Sequence, residues 1–94
     1  MFRAEIIANR SVMEEIIGEL EDALPEIRYT VVNDVQGRGK GNRKLGTVTW
    51  PEMNFILFAY VEDDGAQTVR TVIEGLKARF PHEGIKLFMV RSED

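Results

Sequence analysis

The chain has 94 residues, which leaves room for one domain and one modest core, because a chain this short removes only roughly 60–65% of its unfolded surface from water. Twelve Lys and Arg against sixteen Asp and Glu give a net charge of −4, the wrong sign for gripping a phosphate backbone by counterion release, so nucleic acid is not expected as a partner. Cysteine is absent, which excludes disulfides, thiolate zinc sites and cysteine nucleophiles together and fits a reducing compartment.

Charges at Arg3 and Glu5 interrupt the opening residues, and no stretch approaches the ~20 apolar residues that span a bilayer. The composition therefore predicts a cytoplasmic protein without direct membrane insertion. Residues 2–9 alternate Phe2, Ala4, Ile6 and Ala8, with Ile7 as an apolar exception on the opposite side, and read as a strand. Ser11 and Glu14 form the S-x-x-E pattern of a capping box, predicting a helix that starts at Ser11. Val12, Met13, Ile16, Ile17, Leu20, Ala23 and Leu24 recur at three- and four-residue spacing, and Pro25 ends the helix.

A second strand is predicted over 28–35. The segment that follows, GRGKGNRKLG at 37–46, cannot hold a regular strand, because each glycine adds backbone entropy and offers nothing to pack, so a loop is predicted there. Asn54–Val61 is apolar at nearly every position, as expected of a central strand covered on both sides. Asp64 is the expected cap of a second helix that carries Val69, Val72, Ile73, Leu76 and Phe80 on one face and stops at Pro81. The last strand, 85–91, sets Ile85, Leu87 and Met89 against Phe88 and Val90. The order β-α-β-β-α-β predicts one ferredoxin-like α+β domain over 1–94: a four-stranded antiparallel sheet with two helices on one face and a loop at about 36–53. Its other face must carry Ile56, Phe58 and Tyr60, or else their alternates Phe55, Leu57 and Ala59. An apolar patch of that size predicts assembly.

No catalytic constellation is present, and the protein is not expected to be an enzyme. His82 has no evident nucleophile or metal partner, and Ser11 and Ser92 are an expected helix cap and a terminal residue. The acidic clusters at 62–64 and 19–22 lack the alternating ligand spacing of a calcium loop, and no metal site is expected. Aromatic residues on the third strand could stack on bases, but the segment runs into Glu62, Asp63 and Asp64, and core packing accounts for the rings better. Asn9-Arg10-Ser11 is too short and glycine-poor for a phosphate cradle. The best candidate is Gly37, Arg38, Gly39, Lys40 and Gly41, followed by Arg43 and Lys44: glycines let backbone N–H groups turn toward an oxyanion, and the cations add charge. A solvated basic excursion has the same spacing, and the residues alone leave both readings open.

EIIANRSVMEEIIGELEDA, YTVVNDVQGRGKG, FILFAYVEDDGAQTVRTVIEGL and GIKLFMV together resemble the PII family of nitrogen-regulatory signal proteins over nearly the whole chain, closest to short divergent members with LGTVTWPEMN after the glycine loop. The resemblance implies a homotrimer of ferredoxin-like subunits whose sheets face inward. It also implies an effector loop at 36–54, including Arg43, Lys44 and Trp50, that touches a target protein such as a transporter or enzyme. Gly37, Gly39 and Lys40 fall at the family's phosphate-proximal loop base, and Lys86 falls on the lysine that precedes the last strand. No cofactor is required, and an adenine nucleotide or other small anion is the implied effector. The family's glycine-rich phosphate loop is shortened to Pro81-His82-Glu83-Gly84, its C-terminal nucleotide-contacting segment would lie beyond Asp94, and no tyrosine is available for modification between Gly37 and Asn54. The alternative is a CutA-like trimer that binds divalent metal, for which Met53 and Met89 would be meagre ligands.

Overall fold

Small and branched residues at alternate positions of the first strand set the inner face of the sheet. In the computed structural model, which describes residues 1–38, 43–44 and 53–93, Ala4, Ile6 and Ala8 are at most 1% exposed. This strand, β1 (Phe2–Asn9), is followed by a short turn of 3₁₀ helix at Arg10–Val12 and by helix α1 (Met13–Ala23). Strand β2 (Tyr29–Val35) leads into an excursion that begins with β3 (Gly37–Arg38) and β4 (Arg43–Lys44). Strand β5 (Asn54–Val61), helix α2 (Asp63–Arg79) and strand β6 (Lys86–Arg91) complete the order.

The main sheet runs β2-β5-β1-β6 with every neighbour antiparallel. Register decides what periodicity left open in the all-apolar strand. Ala4 pairs with Ala59, Ile6 with Leu57 and Ala8 with Phe55, so Phe55, Leu57, Ala59 and Val61 face the helices with Ile6. Ile16 and Leu20 of α1 and Ala66, Val69, Ile73 and Leu76 of α2 close this core. An ion pair from Arg79 to Glu19 ties the two helices at the surface. Among the described residues no helix is long and apolar enough to cross a membrane.

Ile56, Phe58 and Tyr60 consequently lie on the open face, the first of the two alternatives the sequence allowed. Val32 (42% exposed), Tyr60 (55%), Phe88 (50%) and Val90 (40%) make this face apolar and wet in the single chain. Ile7, the exception in the β1 alternation, belongs here between Ile56 and Lys86. Two charges interrupt the patch: the Arg3 guanidinium meets Glu5 at 2.6 Å, and Arg3 Nε has no hydrogen-bond partner. A hydrogen bond with Tyr60, with the Glu5 charge in support, raises the Arg3 pKa further above its already high range.

Three local expectations are corrected. Ser11 does not cap α1: the Asn9 side chain accepts the Ser11 backbone N–H at 2.9 Å and winds residues 10–12 into a 3₁₀ turn, while the Ser11 hydroxyl donates to Glu83 Oε1 at 2.5 Å. The helix therefore begins two residues later, with Glu14 and Glu15 in its first turn, where negative charge suits the helix dipole. Helix α2 starts at Asp63 rather than behind an Asp64 cap, because β5 is paired to β1 as far as Val61 and the chain turns immediately. The glycine segment is not wholly irregular: Gly37 pairs with Lys44 and Arg38 with Arg43, so the excursion opens as a ribbon. Gly84 has φ of +64°, the left-handed region that glycine occupies without strain, in the turn before β6.

One contact outside the core has a titratable readout. The Tyr29 hydroxyl donates to Glu21 Oε2 at 2.7 Å across the α1–β2 connection, and that hydrogen bond, with partial burial and the carboxylate charge, raises the Tyr29 pKa. A raised tyrosine pKa favours the neutral form in the folded state, so its stabilising contribution is complete below the unfolded value of about 10 and is lost as pH rises through the folded value. In Glu21→Gln the ionisation of Tyr29 is expected to return toward that ordinary value. Ultraviolet titration of tyrosinate in a Tyr60→Phe background measures it, since the chain holds two tyrosines.

Candidate functional site

Four connections meet at one end of the sheet: the turn after β1, the end of β2, the start of β5 and the turn before β6. Asn9, the one polar residue buried among the described residues, holds the first turn by accepting the Ser11 N–H. The Arg10 N–H donates to the Met53 carbonyl at 2.9 Å, which fixes Arg10 beside the start of β5. Its guanidinium reaches Asp34 Oδ1 at 3.3 Å. Ser11 links to Glu83 in the turn before β6, so side chains from three connections are tied through two neighbouring residues.

Asp34 has φ of +57°, and the β2–β5 register shifts between Val32 and Val35. A left-handed aspartate beside an irregularity bends the strand where the ribbon leaves the sheet. The pair with Arg10 is exposed on both sides and is worth at most about 1 kcal/mol. It positions the departing chain more than it stabilises it.

The sequence-predicted binding residues divide into groups. Gly37 and Arg38 stand at the base of the ribbon, opposite Lys44 and Arg43. Gly39, Lys40, Gly41 and Trp50 lie outside the described residues. Lys86 opens β6, exposed and in register with Ile7 on the open face. The strands β2 and β6 are opposite edges of the sheet, three strand spacings or about 14 Å apart, so in one chain a single small anion cannot touch both Lys86 and the ribbon base. Sequence reasoning assigned no role to Arg10, Asp34 or Glu83. A cation directly after the first strand was a visible signal for Arg10, whereas the contacts of Asp34 and Glu83 join residues 24 and 72 positions apart. Among the described residues no group of three or more His, Asp and Glu could hold a metal, and nothing favours the metal-binding alternative.

No family model matches the sequence, and no curated protein matches it. Solved structures do match. The architecture is that of the ferredoxin-like domains, and within them of the PII-like proteins. A nitrogen regulatory PII-like protein from Thiomonas intermedia K12, CPII, is similar in its complex with ADP and bicarbonate, at a TM-score of 0.71 and 19% identity over 94% of this chain and 81% of that one. The same protein with ADP, AMP and bicarbonate gives 0.72 at 20% identity over the same shares of the two chains. A putative PII-like signaling protein from Thermus thermophilus gives 0.65 at 20% identity, over 94% of this chain and 82% of that one. A de novo designed protein, Foldit4, also matches, at 0.62 and 10% identity over 98% of both chains. At such identities the likeness shows the fold, and a designed protein sharing it illustrates that function must be argued from sites.

Proposed function

We propose that this chain is a PII-like regulatory protein of the cytoplasm, acting without catalysis as a homotrimer whose sheets pack inward and whose basic excursion contacts a target protein, a transporter or an enzyme. A single observation carries the reading: over 94% of its length the chain has the architecture of a PII-like protein seen with ADP, AMP and bicarbonate. The open sheet face supports assembly. At about 25 cal/mol per Å² of apolar area, covering Phe88, Val90, Tyr60 and Val32 in each subunit contributes several kcal/mol.

An anionic effector fits the loop end of the sheet. Arg10 pairs with Asp34 beside the start of β5, and the backbone register of the ribbon sets position 38 opposite position 43, both arginine in the sequence. Lys86 stands at the far edge. Their separation favours an extended anion such as an adenine nucleotide over a single inorganic ion. Bound at Arg10, an anion would compete with Asp34 and so alter the bend at which the excursion leaves the sheet. That competition couples effector to target contact.

Isothermal titration with ADP, AMP and bicarbonate tests the proposal. Heat is expected with a nucleotide, and Arg10→Ala and Lys86→Ala are each expected to weaken binding about tenfold, about 1.4 kcal/mol, as for loss of a charge-assisted contact. No heat with any of the three, from protein shown to be folded, would remove the effector from the reading.

A further inference from the structure

The excursion leaves from the end of β2 and the start of β5. At the opposite end of the same two strands, where β2 begins and β5 finishes, an open notch of about 440 Å³ lies between the α1–β2 connection and the β5–α2 junction. Leu24, Ile27 and Val61 supply its apolar lining, and Tyr60 marks the margin it shares with the open sheet face. Glu26 and Glu62 stand at its edge with Arg28, and among the described residues no ion pair involves either glutamate. Asp63 and Asp64 follow directly in the first turn of α2.

We propose that this notch is a second docking site, which receives an extended segment of a partner protein carrying a basic side chain next to an aliphatic one. The volume is at the small end of binding cavities, enough for side chains and not for a helix. An aliphatic residue would cover Leu24, Ile27 and Val61. An arginine or lysine would lay its stem along the same surface and bring its charge to Glu26 and Glu62. Two carboxylates line the notch against one guanidinium, a net negative charge that disfavours an anion, so the ligand class differs from that at the loop end. The two ends of the domain thus carry opposite charge preferences: one for an anionic effector, the other for a cationic partner segment.

Fluorescence polarisation of the full chain with a labelled peptide of alternating leucine and arginine tests this, with leucine–glutamate and alanine–arginine peptides for comparison. The leucine–arginine peptide is expected to bind. The double variant E26Q/E62Q, at two exposed positions that leave the core untouched, is expected to weaken it about tenfold, the sum of two exposed ion pairs. The alanine–arginine peptide should bind at least tenfold more weakly, the leucine–glutamate peptide not at all, and Arg10→Ala at the far end should change nothing. Absence of binding, equal binding of the acidic peptide, or undiminished binding by E26Q/E62Q overturns the proposal. So does self-association that E26Q/E62Q abolishes with no peptide bound, which would make a second copy the occupant. None of these outcomes bears on the nucleotide titration.

Discussion

Phe55→Ala is expected to lower the free energy of unfolding by about 3–5 kcal/mol, a large part of the 5–15 kcal/mol that a domain of this size commands. The side chain is fully buried and sits in β5, the strand paired on both sides, opposite Ala8 of β1 on the face that carries the core. Alanine there leaves a cavity whose walls, the packed strands and helices, cannot close around it. Urea denaturation at fixed protein concentration measures the loss. Concentration must be held constant, because subunit association would add to the apparent stability. A decrease below about 1 kcal/mol would mean that Phe55 does not occupy the helix-covered face. Phe58, three residues on along the same strand, makes the contrast.

Phe58→Asp is expected to leave the subunit folded and to abolish its assembly. The ring lies on the open face between Thr30 and Glu5, so an aspartate there disturbs no helix contact and meets a carboxylate in direct register. Buried between packed sheets, the same charge would be unpaired in every copy, at a cost of several kcal/mol each. Association should weaken by more than about a hundredfold, about 2.7 kcal/mol. Sedimentation velocity at micromolar concentration should show trimers of the unaltered chain and single subunits of the variant, with matching circular dichroism. An unaltered chain that sediments as one subunit would sink the trimer, and a variant that still assembles would move the interface off this face.

Much of the architecture was readable from local pattern. Period-two alternation in 2–9, helical stripes after Ser11 and after Asp64, and the prolines at 25 and 81 located the strands and helices to within about two residues, because each reflects a choice the backbone makes over one or two turns. The loop end of the sheet was harder. Gly37 and Lys86 were visible as residue types, but that the ribbon of Gly37 follows one edge strand, β2, while Lys86 lies in the other, β6, comes from the strand order β2-β5-β1-β6, which no local pattern encodes. In the sequence Arg10 reads only as part of a segment too short for a cradle, and a lone cation after a strand has meaning only once Asp34 is beside it. The notch went unseen for the same reason. Leu24 to Arg28 and Tyr60 to Gly65 are separate in sequence and are brought together only where β2 pairs with β5.

By itself the sequence determined the order of the main strands and helices, the apolar character of a second sheet face and the basic character of the excursion, since hydrophobic period, chain punctuation and charge are properties of neighbouring residues. Only the tertiary structure decided which side of the all-apolar β5 faces the helices, why the Ser11 hydroxyl turns to Glu83 instead of capping its own helix, and which charges stand together at each end of the sheet. The physical reason is that a strand hydrophobic on both sides gains about the same burial energy in either orientation, and a serine hydroxyl can either accept a helix N–H or donate to a carboxylate at comparable gain. Pairing with strands and turns far away in the chain breaks each tie.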